Sequence, residues 1–199
     1  MKSPRSRTGR TLSPALSLST RRGSGGLRLS ISAQLGRAVV PYLRRNLSRA
    51  HAILKPTLCE MSLALVNDKR MSELHEQFMN IAGPTDVLTF PLELDARGRA
   101  VTGDVAVCVP EARRRARENG NEVRNELLLY ALHGMLHLCG FDDRTARGYE
   151  RMHRTEDQIL SRLGIGPVFQ AKMTFSSRRT PQAARRRRDR KSTRLNSSH

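Results

Sequence analysis

The chain has no tryptophan, and only eight of its 199 residues are Phe or Tyr. No aromatic platform for stacking unpaired bases is visible in the sequence. Cysteine is also scarce. Cys59, Cys108 and Cys139 form an odd, scattered set without paired spacing. That suits reduced thiols in a cytosol rather than a disulfide framework, and points to a cytoplasmic protein. Asp and Glu are missing from residues 1–59, which hold 12 Lys or Arg. Long hydrophobic runs are missing too. Residues 127–141, the most apolar stretch, are interrupted by two histidines and are too short to cross a bilayer, so no membrane partner is expected.

Charge is unevenly placed. Residues 60–175 carry 15 basic and 17 acidic side chains, whereas residues 176–199 carry 9 basic and 1 acidic. The formal net charge of +18 therefore belongs to the ends. The expected organisation is a basic disordered extension over 1–26, one domain over 27–175, and a basic tail over 176–199. The Arg-, Ser- and Gly-rich extension also has the composition of an organellar transit peptide. The last stretch, DRKSTRLNSSH at 189–199, resembles the translation of a sequencing-adapter oligonucleotide and is set apart as an artefact. The ARRRRDR run before it reads as a charge run or a nucleic-acid-binding tail.

Within the domain, strands and helices interleave. Residues 27–32, 60–66, 84–91 and 103–109 read as four strands. Those at 27–32 and 60–66 alternate apolar and polar. Prolines at both ends of 84–91 place that strand at an edge. A turn is expected over 95–101. Helices are expected over 34–54, with Pro41 kinking it or setting its start, and over 71–80, with Met71, Leu74 and Phe78 on one face. Three more follow: Pro110 to Asn119 closed by Gly120, a helix capped by Asn121 and running to Leu138, and 145–163. The fold class is α+β with α/β-like interleaving, a small four-stranded sheet covered by helices.

What is present in place of aromatics and cysteines is HGMLHLCGFDD at 133–143. His133 and His137 stand four apart on a helix that is apolar almost all round. They therefore share one face, about one turn from each other. Polar rings inside such a helix need partners, because burying them unpaired is costly. Either they are core histidines satisfied by hydrogen bonds, or they hold a metal. Gly140 can turn the chain so that a carboxylate supplies a third ligand. Two imidazoles and a carboxylate suit one zinc ion with a fourth position left open. The spacing follows HExxHxxGxxH, with Gly140 at the glycine and Asp143 at the third ligand. The helix is thus zincin-like, but Gly134 stands where a metallopeptidase has its glutamate base.

The same stretch, with PTDVLTFP at 84–91 and GDVAV at 103–107, resembles the YbeY-type endoribonucleases, the rRNA maturation factors. The resemblance covers residues 27–165. It implies a mixed sheet packed with helices, one Zn2+, and ribosomal RNA and the small ribosomal subunit as partners. It also implies a role in small-subunit rRNA maturation and ribosome quality control. Two positions depart from the family pattern. Asp143 aligns with the third zinc histidine. Met79, just after Phe78, occupies the place of an arginine implicated in activity.

The metal ligands are therefore expected to be His133, His137 and Asp143, in a zinc-dependent single-strand endoribonuclease whose general base is not identified. The alternatives are a non-catalytic ribosome-assembly factor of the same fold, or a zincin-like metallopeptidase. Asp142 is expected to face away or to stabilise the turn, Glu126 to be structural, and Cys139 to be a small core residue. His153 reads as a surface histidine, and His51 and His75 carry no motif. Arg113, Arg114, Arg115 and Arg117 form a solvated face or a phosphate contact.

Overall fold

A computed structural model describes residues 26–166 and Val168. The basic extension up to residue 25 and the tail over 176–199, with its adapter-like end, lie outside the described residues.

Ten elements follow one another among the described residues. They are β1 (Arg28–Ala33), a 3-10 turn (Arg37–Val39), α1 (Val40–Leu54), β2 (Glu60–Val66), α2 (Asp68–Met79), β3 (Val87–Leu94), β4 (Ala100–Cys108), α3 (Val109–Asn119), α4 (Val123–Leu138) and α5 (Ala146–Arg162). The sheet order is β1-β2-β4-β3. β1 and β4 run parallel to β2, while β3 runs antiparallel to β4. The class is α+β, with a mixed four-stranded sheet.

Period-2 alternation sorts the core into two layers. Met61, Leu63, Leu65, Val105 and Val107 point to the layer shared with α1, α4 and α5. Val66, Ala106, Cys108 and Leu88 point the other way, onto Met71 and Leu74 of α2. α4 is buried nearly all round, which places it at the centre of the larger layer. β3 lies at the sheet edge, where the missing N–H of Pro91 is tolerated. The register shifts just after that proline, between Pro91 and Glu93.

Several sequence expectations are corrected. Of the two roles expected for Pro41 the second holds: it sits in the first turn of α1 and sets the start of a helix expected from residue 34. α2 begins earlier than expected because the Asn67 side chain accepts from the backbone N–H of Arg70. β3 runs on through Pro91 to Leu94, and the turn shrinks to 95–99, leaving Ala100 and Val101 in β4. Asn121 does not cap α4. Glu122 holds that position, and the Asn121 amide donates to Glu126 at 2.9 Å. Phe78 leaves the buried face of α2: it is 53% exposed, with its ring 4.8 Å from that of Phe90.

Candidate metal centre

α4 carries His133 and His137 on one face near its C-terminal end. After Cys139 the chain turns at Gly140, whose φ of 88° favours glycine. The turn returns Asp143 toward both rings. Its Oδ2 lies 3.6 Å from Nε2 of His133, and its Oδ1 lies 3.9 Å from Nε2 of His137. The two Nε2 atoms are 3.1 Å apart. The structure thus brings His133, His137 and Asp143 together, with one donor atom of each within 4.8 Å of the others.

The outer nitrogens decide what this group can do. Nδ1 of His137 donates to the carbonyl oxygen of Phe141 at 3.0 Å. A carbonyl can only accept, so that proton sits on Nδ1. Nδ1 of His133 donates to Oε1 of Glu156 at 2.7 Å. Glu156 is fully buried on α5, and its other oxygen accepts from Nδ1 of His153 at 2.6 Å. Burial works against its charge. The hydrogen bonds from both rings outweigh burial and hold Glu156 below the usual glutamate value, so it is an anion. In neutral rings with protonated Nδ1 atoms, both Nε2 atoms carry lone pairs. Those lone pairs face each other across 3.1 Å beside a carboxylate. Three acceptors converge without a donor, so the arrangement requires a cation between them or a proton on one Nε2.

A tetrahedral zinc site fits this donor set. Ligand atoms about 2 Å from such an ion stand about 3.3 Å apart. The observed separations of 3.1, 3.6 and 3.9 Å bracket that value. The carboxylate–histidine arrangement at Glu156 is also what fixes ring orientation in metal sites. Without a metal, a proton takes the same place. Burial opposes the charged ring, but Glu156, with help from Asp143 and Asp86, raises the pKa of His133 above its ordinary value.

Gly134 explains the missing peptidase base sterically. A Cβ there would lie 2.6 Å from Cγ1 of Val105 and 3.2 Å from Oγ1 of Thr89. α4 presses directly on the sheet at this point, leaving no room for a glutamate.

Asp142 stabilises the turn and takes no part in the cluster. Its carboxylate accepts from the backbone and the guanidinium of Arg144. Glu126, fully buried, accepts from the amides of Asn119 and Asn121 where α3 passes into α4. Cys139 packs at the edge of the main core, and burial raises its thiol pKa to about 12. His51 and His75 donate to the carbonyls of Leu58 and Gly83 and fix loops. His153 is not a surface residue. Its side chain is 12% exposed, and its ring stacks 6.0 Å from His133 and meets Tyr149 edge-on. The arginine cluster on α3 is partly neutralised. Arg114 pairs with Asp68 and Glu111, and Arg115 with Glu111 and Glu118.

Glu156 and His153 escaped the sequence reading. The signal was available in α5, where Met152, Glu156, Ile159 and Leu160 are all buried. Their spacing puts a carboxylate on an apolar face. Among the described residues, no helix is long and apolar enough to cross a membrane.

The chain is similar to proteins of one known family. The family model described as "Endoribonuclease YbeY" matches residues 32–164. An endoribonuclease YbeY of Moorella thermoacetica is 38% identical over 115 residues, spanning 53% of this chain and 74% of that protein. One from an Anaeromyxobacter species is 32% identical over 163 residues, spanning 78% of this chain and 85% of the relative. A Thermotoga maritima protein solved in solution is 25% identical, with a TM-score of 0.49 over 80% of this chain and 99% of that one.

Proposed function

Given that the chain belongs to the endoribonuclease YbeY family, we propose that it is a zinc-dependent, single-strand endoribonuclease of the cytoplasm that matures small-subunit ribosomal RNA. The observation that carries the metal dependence is the pair of Nε2 lone pairs converging with Asp143. His133, His137 and Asp143 would hold the ion. Zinc in such a site supplies electrophilic activation of water and of a phosphodiester at neutral pH. The chain's own residues do the rest. Glu156 and the Phe141 carbonyl hold the Nδ1 protons and so aim both Nε2 atoms inward. The turn at Gly140 brings the carboxylate of Asp143 to both Nε2 atoms.

A second reading has its own support. Met79, in the position where the family resemblance expects an arginine, is 57% exposed at the end of α2. That favours a ribosome-assembly factor that keeps the metal site without cleaving. A peptidase is disfavoured by the contact at Gly134.

Incubating the zinc-loaded protein with a structured RNA and with casein separates the three. RNA cleavage that disappears on chelation and in His133→Ala, with casein intact, is the expected result. Stoichiometric zinc with no RNA cleavage would favour the assembly factor, and casein hydrolysis the peptidase.

A further inference from the structure

We infer that the outer face of α1 is a second RNA-contacting surface, which grips the phosphodiester backbone away from the metal centre. The identity of the polyanion as RNA rests on the endoribonuclease reading. The surface itself rests on how charge is placed along the helices.

Arg37, Arg44, Arg45, Arg49 and Lys55 are all exposed on α1 and its two ends. Arg44 to Lys55 spans about 16 Å along the axis at 1.5 Å per residue. No acidic residue occurs before Glu60. Among the described residues, none of these five cations lies within ion-pair distance of a carboxylate. α1 itself holds no acidic residue. On α2, α3 and α5, Arg70, Arg114, Arg115 and Arg154 pair with a carboxylate three or four residues away, while Lys69, Arg113, Arg117, Arg147, Arg151 and Arg162 have no such ion pair among the described residues. The arginines of α1 are instead oriented by neutral groups. The guanidinium of Arg44 donates to the carbonyl of Leu29, that of Arg49 lies 3.5 Å from the carbonyl of Leu163, and that of Arg45 sits over the Tyr42 ring. These contacts restrain the side chains and leave their charge uncompensated. A guanidinium held in that way loses less freedom when it meets a phosphate.

The chemistry of the face selects the partner. The apolar side of α1, including Leu43, Leu47 and Ala50, is buried in the core. Between the cations the outer side presents Pro41, Ser48 and Ala52. With no bulky apolar residue to insert, the helix lacks what an interfacial membrane helix needs. It also lacks the aromatic or aliphatic anchors that carry most protein interfaces. A regularly charged, flexible polyanion fits best. The surface is on the same side of the sheet as the metal centre. Tyr42 of α1 donates to Asn125 of α4 at 2.6 Å. Asn125 lies eight residues before His133, about 12 Å along the helix.

The test is Arg37→Gln, Arg45→Gln and Lys55→Gln combined in the full chain. None of these three side chains braces the backbone by a hydrogen bond, so thermal stability and zinc content should not change. Binding of a stem–loop RNA with a single-stranded flank is followed by fluorescence anisotropy across a salt series. Losing three phosphate contacts should flatten the log–log salt dependence by about 2 and weaken low-salt binding roughly tenfold or more. Bound RNA should also shield Lys55, but not Lys69 on α2, from acetylation. An unchanged slope would overturn the proposal. So would an equal loss from neutralising the acid-paired Arg70, Arg115 and Arg154, or an effect on phosphatidylserine vesicles and not on RNA. If the unmodified chain cleaves RNA while the triple variant binds normally, the α1 surface fails and the endoribonuclease reading stands. If the slope flattens but the unmodified chain never cleaves, the surface stands and that reading fails.

Discussion

Glu156, fully buried on α5, accepts the Nδ1 proton of His133 on α4 at 2.7 Å, across 23 residues of sequence. This bond sets which nitrogen of His133 faces Asp143, and it ties the last helix to the candidate metal centre. Glu156→Gln keeps the shape but turns an amide donor toward one of two imidazole N–H groups. Zinc affinity, measured by competition with a chelator, should fall about 10- to 100-fold. Unchanged affinity would mean that Glu156 only fills space.

The same bond gives the metal-free protein a pH signature. His133 has a raised folded pKa, so its contribution is complete below its ordinary value of 6.5 and is lost as pH rises through the folded value. Glu156 has a lowered folded pKa, so its contribution is complete above its ordinary value of 4.5 and is lost as pH falls through the folded value. The site should therefore stabilise the metal-free chain most between pH 4.5 and 6.5. If zinc takes the place of the proton on Nε2, as proposed, the gap in Tm between loaded and metal-free protein should widen above that window. A gap that stays constant with pH would show that proton and metal do not compete at His133.

Gly134 is a packing requirement. Gly134→Ala places a methyl group 2.6 Å from Val105, at a buried position where α4 meets the sheet. A loss of about 1–3 kcal/mol is expected from denaturant unfolding. Restoring the stability with Val105→Ala in the same chain would tie the cost to this contact, and a neutral Gly134→Ala would contradict it.

The turn after α4 distinguishes its two aspartates. Asp142 is taken up by Arg144, whereas Asp143 faces both rings. Asp143→Ala should weaken zinc binding by more than tenfold, about 1.4 kcal/mol, while Asp142→Ala changes it little. Asp143→His should retain zinc, since imidazole is an equally good ligand. The reverse pattern for the two alanine variants would place the ligand one residue earlier.

Much of this architecture is legible in the residues. β2 alternates so regularly that its bounds follow from pattern alone. The two histidines stand out because α4 is otherwise apolar. What was hidden depends on tertiary contact. Glu156 looks like an ordinary polar residue of an amphipathic helix until α5 is laid against α4, and His153 looks exposed until Glu156 is seen to bind it. Asn121 has the chemistry of a cap, but the buried carboxylate of Glu126 competes for its amide. Pro91 suggests the end of a strand, yet an edge strand can carry it past a register shift. Phe78 continues the apolar face of α2, but it is half exposed, and its ring meets Phe90 at the border of the core.

The most direct measurement is the metal content of the purified full chain beside His133→Ala and His137→Ala, each checked for folding by circular dichroism. One zinc per chain, lost in both folded variants, is the expected result. Zinc that stays at the same stoichiometry in both would contradict a metal centre on this face of α4.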